Sequence, residues 1–244
     1  MHNIMVLNAK GGCGKTTIST TLACYFAGQG FTTALMDYDP QNSSHHWLQM
    51  RQSCQPHIRS IDAARTRTGM TRTWQLHTGV GTEVVVIDTP AGVTGGQLIE
   101  LFNKADSILI PVMPTIIDLN AVEGFLDELM RFAKHRLNGK RVAMVINRVR
   151  FKSEIYEKIE SLSKRLGIPL IGSLRDTHNY AVAMESGIGI CEMKQEVSSK
   201  DREQWQPILK WLHEAIPPKR PDQDKQHRPD LQEWQSAAGN VAIS

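Results

Sequence analysis

Apolar and polar residues follow two patterns along most of this chain, and together they predict alternating strands and helices. Short runs rich in Val, Ile, Leu and Met are typical of strands buried in a parallel sheet. Such runs occupy residues 4–7, 32–36, 83–87, 107–113, 142–146 and 169–174. Apolar residues at helical spacing predict helices over residues 16–29, 115–129, 152–166 and 200–216. This order predicts a doubly wound α/β fold, with a mainly parallel sheet and helices on both faces.

Two segments depart from this pattern. Residues 43–80 hold five arginines and a single acid, and we predict the least regular part of the core there, with His45 and His46 on a helix surface. The arginines are a weak indication of an anion-binding face. Residues 217–244 are rich in proline, glutamine and charge without any periodicity. We therefore expect one folded domain at residues 1–216 and a disordered tail at residues 217–244.

Composition narrows the class of protein without identifying it. The four cysteines form no C-x-x-C pair, which argues against a disulfide framework and a structural zinc site. No apolar run approaches the ~20 residues of a membrane span, and no signal sequence is recognisable. We expect a reduced, cytoplasmic protein. A net charge of +3 is too small to indicate a polyanion-binding protein by itself.

A glycine-rich stretch directly behind the first predicted strand carries the clearest chemistry. Residues 8–17 are N-A-K-G-G-C-G-K-T-T, and glycines let several backbone N–H groups face one anion without a Cβ in the way. Lys15 can reach the β and γ phosphates of ATP, and Thr16 can offer a hydroxyl to Mg²⁺ at the start of a helix. The stretch therefore predicts an ATP·Mg²⁺ site. Its predicted contacts are Gly11, Gly12, Gly14, Lys15, Thr16 and Thr17.

Aspartates follow two of the predicted strands. Asp37 and Asp39 stand in the run D-Y-D-P-Q after residues 32–36, and Asp88 follows residues 83–87. Carboxylates at the carboxyl ends of parallel strands, near a phosphate loop, can bind Mg²⁺ or orient an attacking water. We predict that Asp88 is the Walker B acid, which binds Mg²⁺ through water. For Asp37 and Asp39 the run is as typical of a helix cap as of a metal site, and both interpretations stay open.

Three motifs carry a resemblance to a known family. The run K-G-G-x-G-K-T-T at residues 10–17 resembles the deviant Walker A motif of the ParA/MinD family of ATPases, and D-x-D-P-Q resembles the switch I segment of ParA proteins. The run P-V-x-P-T-x-x-D from Pro111 resembles an interface segment of small plasmid-partition ATPases of the ParF type. The resemblance covers about residues 1–216. It implies an ATPase that dimerises around two sandwiched ATP molecules.

The resemblance also implies roles for individual residues. The lysine that matches Lys10 reaches the partner's nucleotide across the dimer interface. The residue that matches Asp39 positions the hydrolytic water, and the residue that matches Asp37 supports the metal. An asparagine at the position of Asn147, which alone is typical of a turn, binds the adenine amino group. Gln41, in the switch I run, is a further ATP-binding candidate.

Three function classes compete within this family. A ParA-type ATPase binds nonspecific DNA as an ATP dimer and is released when a ParB-like or McdB-like adaptor stimulates hydrolysis; plasmids, chromosomes and carboxysomes are possible cargoes. A MinD-like membrane-cycling ATPase needs a basic amphipathic C-terminal helix, but residues 231–244 contain no lysine or arginine. A metabolic relative such as nitrogenase iron protein needs cluster-binding cysteines, but residues 55–190 contain none. The first class is favoured.

The favoured class predicts nonspecific DNA binding, with the ATP form associated with the nucleoid. Basic residues in the C-terminal third are candidates for contacts with DNA phosphates. An ordinary solvated charge is the alternative for each of them. The candidates are Arg148, Arg150, Lys152, Arg175, Lys194, Lys200 and Arg202.

Overall fold

The strands lie side by side in one sheet in this computed structural model, which describes residues 1–64, 79–133 and 140–219. They are β1 (His2–Val6), β2 (Thr33–Asp37), β3 (Ile58–Asp62), β4 (Val84–Asp88), β5 (Ser107–Val112), β6 (Arg141–Val149) and β7 (Leu170–Arg175). Within the described residues the seven strands pair in the order β3-β2-β4-β1-β5-β6-β7, and every pair is parallel. All carboxyl ends therefore meet at one edge.

Helices cover both faces of this sheet. They are α1 (Lys15–Gly28), α2 (Ser43–Gln49), α3 (Gly95–Lys104), α4 (Ile116–Ala133), α5 (Glu154–Leu166), α6 (Asn179–Glu185) and α7 (Gln195–His213), with a 3₁₀ turn at Ile190–Glu192. The side chains of successive residues in a strand point to opposite faces of the sheet. Met5 of β1 packs in the cluster that includes α3, α4 and α5, whereas Ile4 and Val6 pack with α1 and α7.

The arrangement confirms the predicted doubly wound α/β fold. From β1 the chain first adds strands on one side of the sheet and later adds β5, β6 and β7 on the other side. In such folds, ligands bind outside the carboxyl ends of the strands at the point where the direction changes. The loop after β1 lies there, and so do the ends of β4 and β5. The fold therefore places the glycine-rich loop at the position where a binding site is expected.

Within residues 43–80, predicted as the least regular part of the core, two stretches form regular elements, α2 and β3. Their polar composition hides the pattern, because each buries only a few side chains: Ser44 and Trp47 of α2, and Ile58 and Ile61 of the edge strand β3. His46 is exposed and His45 is half-buried on α2, as expected. Residues 65–78 lie outside the described residues.

The C-terminal helix also differs from the prediction, since α7 begins at Gln195 rather than near residue 200. The tail predicted for residues 217–244 lies outside the described residues from residue 220 onward. Among the helices in the described ranges, none combines the length and the hydropathy that a bilayer crossing requires.

Candidate nucleotide site

The glycine-rich loop runs from the end of β1 to the start of α1. Gly12 and Gly14 have φ angles of 76° and 94°, in the left-handed region that favours glycine. A Cβ on Gly14 would also lie 2.1 Å from Asn147 Nδ2, so the position excludes a side chain sterically. Gly14 is the N-cap of α1, and glycine offers no side chain to cap the helix. The first N–H groups of α1 are therefore available to an anion.

Both lysines of the motif belong to this loop. Lys15 is buried, and its Nζ donates to the backbone oxygen of Lys10 at 3.0 Å. The thiol of Cys13 donates to the same oxygen at 3.3 Å. The Lys10 side chain is half-buried, and its backbone N–H donates to Asn8 Oδ1 at 2.9 Å. Asn8 Nδ2 in turn donates to Pro111 O at 2.7 Å, which braces the loop against β5.

Asp88 stands at the end of β4 with no exposed surface. Its Oδ1 accepts a hydrogen bond from Ser19 Oγ at 3.2 Å, and its Oδ2 accepts one from Ser44 Oγ at 2.5 Å. Burial raises the pKa of Asp88 to about 6, although hydrogen bonds from Ser44, Thr16 and Ser19 act to lower this pKa. The carboxylate is thus costly to ionise in the protein alone.

Asp37 lies next to Asp88 across the β2–β4 pair. Its Oδ1 accepts from Asp39 N at 2.8 Å, and its Oδ2 accepts from the N–H groups of Ser44 and His45 at 3.0 and 3.1 Å. Asp37 therefore caps α2, one of the two interpretations of the sequence. Burial raises the pKa of Asp37, and these backbone N–H groups oppose the rise.

Asp39 lies closer to the surface than Asp37. Its carboxylate is half-buried, and Oδ1 accepts from the backbone N–H of Gln41 at 3.0 Å. This bond closes a short turn within the D-Y-D-P-Q run. The roles of Asp39 and Gln41 in ATP turnover stay predictions.

The donor set fits Mg²⁺. The carboxylates of Asp37 and Asp88 and the hydroxyl of Thr16 are oxygen ligands, the type that Mg²⁺ takes in proteins. Among the described residues, the hydrogen-bond partners that the structure gives the two carboxylates are neutral hydroxyl and N–H groups. Two buried carboxylates with neutral partners would be stabilised by a cation.

Asn147, beyond the middle of β6, packs against the glycine-rich loop. Its Nδ2 donates to Cys13 O at 2.8 Å, and its Oδ1 accepts from the backbone N–H of Arg148. The side chain is buried. The structure thus brings Asn147 to the predicted site, where it supports the loop, and its role toward adenine stays a prediction.

Three of the DNA-binding candidates have partners within the described residues: Arg150 pairs with Asp176 at the surface, and Arg175 and Arg202 bind groups on or near α7. Arg175 Nε donates to Asp201 Oδ1 at 2.5 Å, and Asp201 has no exposed surface. Arg202 donates to Ser198 Oγ at 2.9 Å and to Met193 O at 2.5 Å. Both arginines stabilise the packing of α7, so reversing their charge would damage the fold as well as any DNA contact. The exposed candidates are Arg148, Arg150, Lys152, Lys194 and Lys200.

Three residues of the site were missed in the sequence. Ser19 lies three and four residues after Thr16 and Lys15, and this helical spacing could have indicated it. Asn8 is the first residue of the stretch 8–17, but no role was predicted for its side chain. Ser44 gave no usable signal, because nothing in the local sequence shows that its hydroxyl reaches Asp88 at the end of β4.

Comparison with known proteins agrees with this geometry. The family model of the CobQ/CobB/MinD/ParA nucleotide binding domain matches residues 4–190. A maintenance of carboxysome distribution protein A from Halothiobacillus neapolitanus is 28% identical over 218 residues, 88% of this chain and 96% of the relative. The septum site-determining protein MinD of Neisseria meningitidis is 26% identical, over 75% of this chain and 82% of the relative.

Solved structures share the fold. An ATP complex of a Cyanothece McdA variant superposes with a TM-score of 0.68 at 17% identity, covering 91% of this chain and 99% of that one. A MinC:MinD complex from Aquifex aeolicus gives a TM-score of 0.67 at 17% identity, covering 90% and 99%. At this identity the likeness concerns the fold alone.

Proposed function

This chain belongs to the CobQ/CobB/MinD/ParA nucleotide-binding family, and from that premise we propose that it is a ParA-type ATPase that positions a cargo on DNA. The observation that carries the ATPase proposal is the pair of buried carboxylates beside the glycine-rich loop. Asp37 and Asp88 lie in register at the sheet edge where α1 presents its free N–H groups. This arrangement suits a nucleoside triphosphate with its bound metal ion.

The residues divide the work of hydrolysis. The loop N–H groups and Lys15 bind the β and γ phosphates through charge-assisted hydrogen bonds. Thr16, Asp88 and Asp37 would hold Mg²⁺, which would neutralise charge at the phosphates. Asp39 orients the attacking water, a contribution made mostly in the transition state.

Dimerisation around ATP is the second part of the proposal. Lys10 belongs to the same loop as Lys15, and its side chain is half-buried rather than enclosed. It is therefore available to a nucleotide on a second copy of the chain. On an Asp39→Ala background, which should slow turnover and retain ATP, light scattering should show a dimer with ATP and Mg²⁺. Lys10→Ala should remove this dimer; a dimer that persists in the double variant would reject the sandwich.

DNA retention is the third part of the proposal. Arg148, Arg150 and Lys152 are exposed in one short segment that follows Asn147 of the nucleotide site. A dimer would present this segment twice, and each phosphate neutralised releases about one counterion. We propose that the ATP dimer binds DNA without sequence preference. The carboxysome-distribution relative supports a positioning role, in which a ParB-like or McdB-like adaptor stimulates hydrolysis.

An electrophoretic mobility assay on unrelated duplexes tests DNA retention. Binding should require ATP rather than ADP and should weaken strongly between roughly 50 and 200 mM salt. A variant with Arg148, Arg150 and Lys152 each changed to Glu should lose binding and keep its ATP affinity. Lys158→Glu, on the exposed side of α5, is the matched control. Equal binding with ADP and ATP, or none at low salt, would reject the proposed retention on DNA.

A further inference from the structure

Ser44, the second residue of α2, contacts both buried carboxylates of the site. Its backbone N–H donates to Asp37 Oδ2 at 3.0 Å, and its hydroxyl donates to Asp88 Oδ2 at 2.5 Å. The residue has no exposed surface, so water does not compete for either bond. One serine therefore joins the end of β2 to the end of β4.

The two bonds act on different parts of the site. The bond to Asp37 fixes where the D-Y-D-P-Q run leaves β2, and Asp39 lies in that run. The bond to Asp88 orients its carboxylate together with Ser19, which donates to the other oxygen. An ionised carboxylate has about four acceptor positions, so the two serine hydroxyls leave lone pairs free on both oxygens.

The turn that delivers Ser44 passes through the left-handed region. Asn42, two residues earlier, has a φ of 51°, which asparagine adopts more readily than most residues other than glycine. Its Oδ1 is buried and has no hydrogen-bond partner among the described residues. The start of α2 is held by its bonds to Asp37 and Asp88 in addition to the local backbone bonds of the turn.

We propose that Ser44 is a positioning residue that couples the D-Y-D-P-Q run to the Asp88 carboxylate and thereby sets the affinity of the site for Mg²⁺. This proposal rests on the ATP·Mg²⁺ site proposed above. Ser44 acts through the two aspartates rather than as a metal ligand. Hydrogen-bond partners of this kind orient the ligands themselves, and their loss typically weakens metal binding.

The test is the Mg²⁺ dependence of nucleotide binding by the full-length chain. A fluorescent ATP analogue is titrated at increasing Mg²⁺, and its affinity is also measured in EDTA. Ser44→Ala should raise the half-saturating Mg²⁺ concentration by about tenfold or more and leave the affinity in EDTA unchanged. Ser43→Ala is the matched control, because Ser43 is the exposed neighbour on the same helix. It should behave as the wild type does.

A purely structural role would change the melting temperature and leave the Mg²⁺ dependence unaltered. Ser44→Cys keeps the shape of the side chain, but a thiol donates only weakly. This variant should therefore shift the Mg²⁺ dependence in the same direction as Ser44→Ala. It decides the test if Ser44→Ala does not fold. Folded Ser44 variants with the wild-type Mg²⁺ dependence would overturn the positioning role alone. A wild-type chain whose nucleotide binding ignores Mg²⁺ would overturn the proposed site as well.

Discussion

Two buried charged clusters differ in how their charge is balanced. At the nucleotide edge, the described partners of Asp37 and Asp88 are neutral hydroxyl and N–H groups. In the second cluster, Arg51 and Glu192 neutralise one another: Arg51 NH2 lies 2.7 Å from Glu192 Oε1, and NH1 lies 2.9 Å from Oε2. The first cluster is open to a cation and the second is closed.

The closed cluster ties distant parts of the chain together. Arg51 NH1 also donates to Gly187 O at 3.0 Å, and NH2 donates to Pro56 O at 3.0 Å. Its side chain is only 7% exposed. Burial would raise the pKa of Glu192, but hydrogen bonds from Arg51 and the Gly189 N–H hold this pKa below its usual value. The comparison shows that burial of charge alone does not identify a binding site: Arg51 balances the charge of Glu192, whereas the described partners of Asp37 and Asp88 are all neutral.

The largest expected effect is on the closed cluster. Arg51→Met leaves the Glu192 carboxylate buried without its cation, and removal of one partner from a buried pair costs about 3–5 kcal/mol of unfolding free energy. Denaturant unfolding measures this loss. Arg150→Met is the control, because the Arg150–Asp176 pair is exposed and should contribute about 0–1 kcal/mol. Equal losses in both variants would remove the distinction between closed and exposed pairs.

The next effect concerns the open cluster. Lys15→Ala should weaken ATP binding by at least about a hundredfold, since it removes charge-assisted hydrogen bonds to two phosphates. Calorimetry measures the affinity, with Lys158→Ala on α5 as the control. Undiminished ATP affinity in Lys15→Ala would mean that the glycine-rich loop is not the phosphate site.

Asp88→Asn should increase the free energy of unfolding, whereas Arg51→Met should decrease it. Without nucleotide and metal the buried charge of Asp88 is a cost, so the neutral amide should stabilise the chain by about 1–2 kcal/mol at pH 7. Asp39→Asn, at a half-buried position of the same sheet edge, is the control and should change little. A chain that Asp88→Asn destabilises would show that the ionised carboxylate already has a stabilising partner.

Lowering the pH should change the contributions of Asp88 and Glu192 to folding stability in opposite directions. The pKa of Asp88 is raised from 3.8 to about 6 in the folded chain, so between these values the folded state binds more protons than the unfolded state. Its contribution to stability therefore improves as the pH falls through this window. The pKa of Glu192 is lowered from 4.5, so its contribution is present above that pH and is lost below it. Denaturant unfolding of the wild type, Asp88→Asn and Glu192→Gln at pH 7, 5.5 and 4 measures both trends. The stability gain of Asp88→Asn should shrink toward pH 4, and a gain that stays constant would contradict the trend given for Asp88.

The contrast also explains what the sequence could and could not predict. Residues 8–17 and Asp88 were predictable, because their chemistry depends on spacing within short runs that fold into strand ends and one loop. Ser44 was not, because its role depends on α2 lying against the end of β4. Arg175 and Arg202 show the same limit, since nothing in the local sequence reveals that Asp201 and Met193 engage them.

The central claim is that the open cluster is a cation site that acts together with ATP, and calorimetry of ATP binding with and without Mg²⁺ tests it most directly. Mg²⁺ should tighten ATP binding by the wild-type chain. It should do so equally in Asp176→Asn, which changes an aspartate at the same sheet edge that is already paired with Arg150. In Asp88→Asn most of this Mg²⁺ effect should be lost. An equal Mg²⁺ effect in all three proteins would contradict the account.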